Sequence, residues 1–147
     1  MEKIDVKVIR KEYGMLPKYM TEGAAGMDVY AAVNEPIKIA PLERVLVPTG
    51  LHFEIPFGYE IQVRSRSGLA LNHGITLVNS PGTIDSDYRG EVKIIMINLS
   101  NEQYEIKPGE RICQFVLQKV YHAVLKESDV LEESSRASGG FGHTGKK

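Results

Sequence analysis

Five short segments carry the side chains that could do chemistry. Arg64-Ser65-Arg66-Ser67-Gly68-Leu69 places two arginines and two serines ahead of a short helix-forming run. Hydroxyls and free backbone N–H groups at a helix start suit phosphate, and a guanidinium fork adds charge-assisted bonds. A plain helix cap with solvated arginines accounts for the same residues. The stretch Asn79 to Gly90, NSPGTIDSDYRG, lies between two apolar runs and reads as a long hairpin. A carboxylate held there, Asp85, could act as general base toward water. The hairpin backbone could also offer N–H and C=O groups to a flat heterocycle, while Asp87 reads as an ordinary turn aspartate. Ala25-Gly26-Met27-Asp28-Val29 opens an apolar strand with one carboxylate, which alone is a weak signal. Gly109-Glu110-Arg111-Ile112-Cys113-Gln114-Phe115 is a turn entering a strand, with Gln114 polar among apolar neighbours. Arg136 to Gly145, RASGGFGHTG, combines an arginine, the aromatic Phe141 and several glycines, but lacks the GK[ST] ending of a phosphate-binding P-loop.

Other chemistries lose ground. The single cysteine, Cys113, excludes an internal disulfide and sits in the apolar run ICQFVL, where a small packed residue is the expectation. The four histidines are scattered, with no HxH, HExxH or CxxC spacing, so a protein-built zinc site is not expected. Eighteen basic residues balance nineteen acidic ones, for a net charge of -1, which disfavours a general nucleic-acid coat. No apolar run approaches the roughly 20 residues of a membrane span. The first residues, MEKIDVKVIRKEYG, carry no apolar leader, so a reducing cytoplasm is the default compartment.

The elements that must position these side chains are mostly strands. Ile4–Ile9, Leu51–Ile55 and Tyr59–Val63 alternate, the last two separated by the turn Pro56-Phe57-Gly58. Met27–Val33, Arg44–Val47, Ile75–Val78, Tyr104–Ile106, Ile112–Val120 and Ala123–Leu125 are further short runs. Val92–Ile97 is apolar on both faces, as a strand between two sheets would be. Ser67–Leu71 predicts a short helix with Ser65 or Ser67 near its cap, and Glu127–Glu133 a helical turn. With 147 residues, 42% hydrophobic and 25% charged, the chain has the size and balance of one globular domain with its own core. The pattern predicts an all-β, jelly-roll-like sandwich of short antiparallel strands with one short helix. From residue 132 onward the Gly/Ser-rich sequence cannot bury enough apolar surface to hold itself down. It is either a loose end or a segment that orders over a ligand.

These five segments, in this order and spacing, resemble the trimeric dUTP diphosphatase (dUTPase) family, with GTIDSDYRG at the centre and RASGGFGHTG at the end. The resemblance runs from Ala24 to Gly145. It implies a β-sandwich over residues 1–131 and a flexible arm, 132–147, closing over a neighbouring subunit's site in a homotrimer. It implies hydrolysis of dUTP to dUMP and pyrophosphate with Mg²⁺, which limits uracil entry into DNA and supplies dUMP for thymidylate synthesis. By the resemblance, Asp85 activates the water that attacks the α-phosphorus, and Tyr88 packs under the deoxyribose. Asn79, Thr83, Ile84, Asp85 and the Lys93 backbone read uracil. Arg66, Ser67, Gly68 and Gln114 contact the phosphates. Arg136 clamps the γ-phosphate, Phe141 stacks on the base and Gly142 adds backbone donors. The magnesium takes no direct protein ligand, and Asp28 supports it through water. Lys146 and Lys147 either add positive charge near the triphosphate or are solvated. The rival readings are a dCTP deaminase or bifunctional deaminase-diphosphatase of the same fold, and a non-enzymatic jelly-roll binding module.

Overall fold

A computed structural model describes residues 2–145; the question of Lys146 and Lys147 lies outside them. The strands are β1 (Lys7–Arg10), β2 (Met27–Tyr30), β3 (Ile37–Ile39), β4 (Arg44–Pro48), β5 (Leu51–Glu54) and β6 (Tyr59–Arg64). After helix α1 (Ser67–His73) come β7 (Ile75–Leu77), β8 (Gly82–Ile84), β9 (Lys93–Asn98), β10 (Tyr104–Ile106) and β11 (Arg111–Lys119). They form an antiparallel, jelly-roll-like β-sandwich. One sheet has the order β2-β11-β6-β8, a second β4-β9-β7, and two ribbons, β1-β5 and β3-β10, complete it.

One core joins these sheets. Val29, Ile61, Ile84 and Phe115 from the four-stranded sheet pack with Val47, Ile75, Ile94 and Met96 from the three-stranded one. Phe53 meets the Phe115 ring edge-on, centroids 5.8 Å apart. Alternation explains these faces: in β9, Ile94, Met96 and Asn98 point in, while Lys93 and Ile95 point out. That strand is therefore buried on one face only within this chain, not on both. Helix α1 ends at Gly74, whose left-handed φ of 65° turns the chain into β7 and whose N–H bonds the Ala70 carbonyl.

Several local expectations are corrected. Arg66, in extended conformation and making no side-chain capping bond to the helix, holds the N-cap of α1, not Ser65 or Ser67. The first strand starts at Lys7, and β3 is a strand that the alternation did not signal. Ala123–Leu125 forms no strand and Glu127–Glu133 no helical turn. Beyond Lys119 the chain leaves the sandwich: Val120 N–H to the Gly58 carbonyl, at 2.9 Å, is the last backbone bond to it among the described residues.

Candidate active site

The hairpin that carries Asp85 does more than connect two strands. Its base is the β7–β9 pair, with Leu77 opposite Met96, but its middle, β8, crosses to the other sheet and pairs with β6, Gly82 opposite Val63 and Ile84 opposite Ile61. Both sheets thus grip one fifteen-residue segment, 78–92. A Cβ at Gly82 would stand 3.2 Å from Val63 Cβ and 3.3 Å from the Asn79 amide nitrogen, closer than most side chains pack, so a larger residue there would push its neighbours by a few tenths of an ångström. The returning arm is clamped: Tyr88 Oη donates to the Glu91 carbonyl (3.0 Å), Arg89 donates to the Ser86 carbonyl (2.7 Å), and Gly50 N–H donates to the Glu91 carboxylate (3.1 Å). A Cβ at Gly90 would collide with the Tyr88 ring.

This frame encloses a cavity of about 210 Å³ lined by Asn79, Gly82, Thr83, Ile84, Asp85, Tyr88, Glu91 and Lys93 among others. Every hairpin residue singled out in the sequence lines it. Asp85 follows directly on β8, so the ladder fixes its backbone while its carboxylate stays exposed. Lys93 keeps its ammonium outside, 3.5 Å from the Glu91 carboxylate.

A second, polar cavity of about 280 Å³ is lined by Asp28, Arg66, Ser67, Gly68 and Gln114, joined by Arg111 and by Met20, Thr21, Ala24 and Gly26. At its floor the Asp28 side chain is 5% exposed. Arg111 Nη1 donates to Asp28 Oδ2 at 2.9 Å and Gln114 Nε2 to Oδ1 at 3.1 Å. Arg66 Nε stands 3.8 Å from Oδ1, and its Nη1 donates to the Arg111 carbonyl at 3.0 Å. A buried carboxylate needs such partners, since stripping one from a buried pair typically costs about 3–5 kcal/mol. No protein atom lies within 4 Å of where a Gly68 side chain would begin, so packing within the chain does not demand the glycine.

The two cavities have no residue in common. The third group, Arg136, Phe141 and Gly142, joins neither. Arg136 Nε donates to the Gly139 carbonyl at 2.8 Å, and Phe141 stands fully in solvent. Cys113, next to Gln114 in β11, is buried. Burial first, and the Asp28 carboxylate second, push its thiol pKa up, so it stays protonated and packs. Sequence reasoning missed Arg111 and Glu91. Arg111 lies three residues from Gln114, a spacing that in a regular strand puts the two side chains on opposite faces; a register shift between Arg111 and Cys113 brings both to Asp28.

No group of three or more His, Cys, Asp or Glu among the described residues could hold a metal ion. The donor set suits magnesium only in the form in which that ion usually meets proteins, carried by substrate phosphates and waters.

Comparison with known proteins identifies the family. The sequence profile of the dUTPase family covers residues 12–145. A deoxyuridine 5'-triphosphate nucleotidohydrolase of Fusobacterium nucleatum subsp. nucleatum is 61% identical over 99% of this chain and 100% of its own length. Its counterpart in Finegoldia magna is 57% identical over 95% of this chain and 98% of its own. Among solved structures, the dUTPase of Staphylococcus bacteriophage 80alpha with dUPNHPP superposes with a TM-score of 0.87 at 26% identity, covering 97% of this chain and 99% of that one. With its β-sandwich, its cross-sheet hairpin and these likenesses, the chain belongs to the dUTPase family.

Proposed function

We propose that the chain hydrolyses dUTP to dUMP and pyrophosphate at sites assembled from three copies. Each site takes the hairpin cavity of one copy, the Asp28 cavity of a second and the arm, residues 132–147, of a third. The observation that carries this is the separation of the two cavities. One chain holds a nucleoside-sized pocket and a cationic pocket that share no lining residue, and an arm that touches neither. The outward face of the β4-β9-β7 sheet, with Leu46, Val78 and Ile95 exposed, offers apolar surface for a second copy.

In this reading the rigid hairpin receives uracil. Backbone groups around Thr83, Ile84 and the Lys93 main chain, with the Asn79 amide, imitate a pairing partner. Cytosine presents the wrong donor pattern and the thymine methyl lacks room. The Tyr88 ring, fixed by its bond to Glu91, packs under the sugar where a 2′-hydroxyl would collide. Asp85 accepts a proton from the water that attacks the α-phosphorus. Arg66, the N–H groups of Ser67 and Gly68, and Gln114 hold the phosphates, and charge moving to the pyrophosphate is met by donors already in place. Magnesium on the phosphate oxygens would supply further charge neutralisation. Asp28, whose oxygens already take Arg111 and Gln114, would support the ion only through water. Arm closure brings Arg136 to the γ-phosphate, Phe141 onto the base and Gly142 N–H to the phosphates, and excludes bulk water. The setting is the cytoplasmic nucleotide pool.

A deaminase of this fold and a non-enzymatic module are disfavoured by relatives named nucleotidohydrolases across nearly the whole chain. The test is pyrophosphate release from dUTP, dTTP, dCTP and UTP, with and without Mg²⁺, alongside ammonia release from dCTP. Rapid release from dUTP alone, dependent on Mg²⁺, is expected. Ammonia from dCTP, or comparable turnover of all four nucleotides, overturns the proposal.

A further inference from the structure

We propose that Arg111 is a positioning residue of the cationic cavity: its guanidinium occupies the Asp28 carboxylate and so leaves Arg66 free for phosphate. The inference rests on the reading of that cavity as the triphosphate site. A carboxylate 5% exposed must be neutralised, and two arginines stand within reach of it. The geometry shows which one does so. Arg111 Nη1 makes the short contact, 2.9 Å to Oδ2, and Gln114 fills Oδ1. Arg66 is kept at 3.8 Å, beyond hydrogen-bond range, and is tethered instead by one N–H to the Arg111 carbonyl. A guanidinium has five N–H donors, so this tether leaves most of them for a ligand.

Without the Arg111 side chain, Arg66 is the nearest cation to a buried carboxylate. It would close the remaining gap and form a two-pronged pair with Asp28, turning its donors away from the cavity. The strand is built to prevent this. In β11, Arg111 pairs with Tyr30, Cys113 with Val29 and Gln114 with Asp28, so one extra residue lies between Arg111 and Cys113. Such a bulge shifts the alternation by one, which puts residues three apart on the same face.

The test is a double-mutant cycle on the full-length protein with kcat and KM for dUTP, inhibition by pyrophosphate as a probe of the phosphate half, and thermal midpoints. R111A is expected to lower kcat/KM by about 10²-fold through misplacement of Arg66, with weaker pyrophosphate inhibition. In an R66A background the same substitution should add almost nothing, because there is no guanidinium left to misplace. R111K, which keeps the charge without the fork, should recover part of the loss and replaces R111A in the cycle if the alanine variant does not fold. Wild-type kinetics for R111A, or losses that multiply in R66A/R111A, overturn the positioning role. Wild-type kinetics for R66A would instead remove the phosphate reading of the cavity, and this inference with it.

Discussion

Asp85 and Asp28 are the same kind of group in opposite situations. Asp28 lies at the floor of a pocket with both oxygens engaged by Arg111 and Gln114, so it organises its neighbours. Asp85 sits one residue past the β6–β8 ladder, in a segment whose base the other sheet holds, and lines the hairpin cavity with an exposed side chain. Position without saturation is what a general base requires. Asp85→Asn keeps the shape and removes the basicity. The expected outcome is a fall in kcat of about 10²–10⁴-fold, the usual worth of such a base. Affinity for a non-cleavable dUTP analogue, measured by titration calorimetry, should change by no more than a few-fold. Near-normal turnover would assign the water to another group.

At the scale of elements, the hairpin and the arm contrast in how they are held. Segment 78–92 is fastened to both sheets, whereas the backbone bonds of the arm among the described residues are internal, such as Ala137 N–H to Ser134 and His143 N–H to Gly140. Deleting residues 132–147 should therefore leave the thermal midpoint within a few degrees of the intact protein. Catalysis should fall by about 10²-fold or more as orientation of the phosphates is lost. Full activity of the truncated protein would show that the arm is dispensable. How well the sequence discloses such elements depends on how local their causes are. Alternation disclosed β5 and β6 to within a residue because their burial is one-sided and the turn between them carries Pro and Gly, and the short run Tyr104–Ile106 coincides with β10. It did not disclose β3, a three-residue strand whose partner, β10, lies more than sixty residues away. Ala123–Leu125 is apolar enough for a strand but lies beyond Val120, the last described residue whose backbone bonds to the sandwich, and pairs with none of its strands. The hairpin residues were legible as a motif; that β8 crosses to β6 was not, since pairing across sheets leaves no periodic trace. Arg111 was hidden for the same reason: a bulge changes which residues share a face without changing the residue types.

For the whole molecule, the question is why one chain should carry two cavities that share no residue. A closed homotrimer brings different patches of neighbouring copies together at each interface, so a half-site on one copy can meet the other half-site of the next. This has a consequence that a self-contained site would not share. Asp85→Asn damages only the hairpin half and Arg66→Ala only the cationic half, so homotrimers of either are expected to be nearly inactive. When the two variants are unfolded together and refolded as mixed trimers, some sites should combine an intact hairpin from one chain with an intact cationic pocket from the other. With random pairing of unlike subunits that is about one quarter of the sites, each restored to wild-type turnover. Pyrophosphate release after mixing, with analytical ultracentrifugation to establish the trimer, reads the result. If both halves belonged to one chain, every site would carry one lesion and mixing would restore nothing. Recovery of activity on mixing, and its absence when the variants are assayed separately, therefore distinguishes a shared site from a private one without any ligand-bound structure.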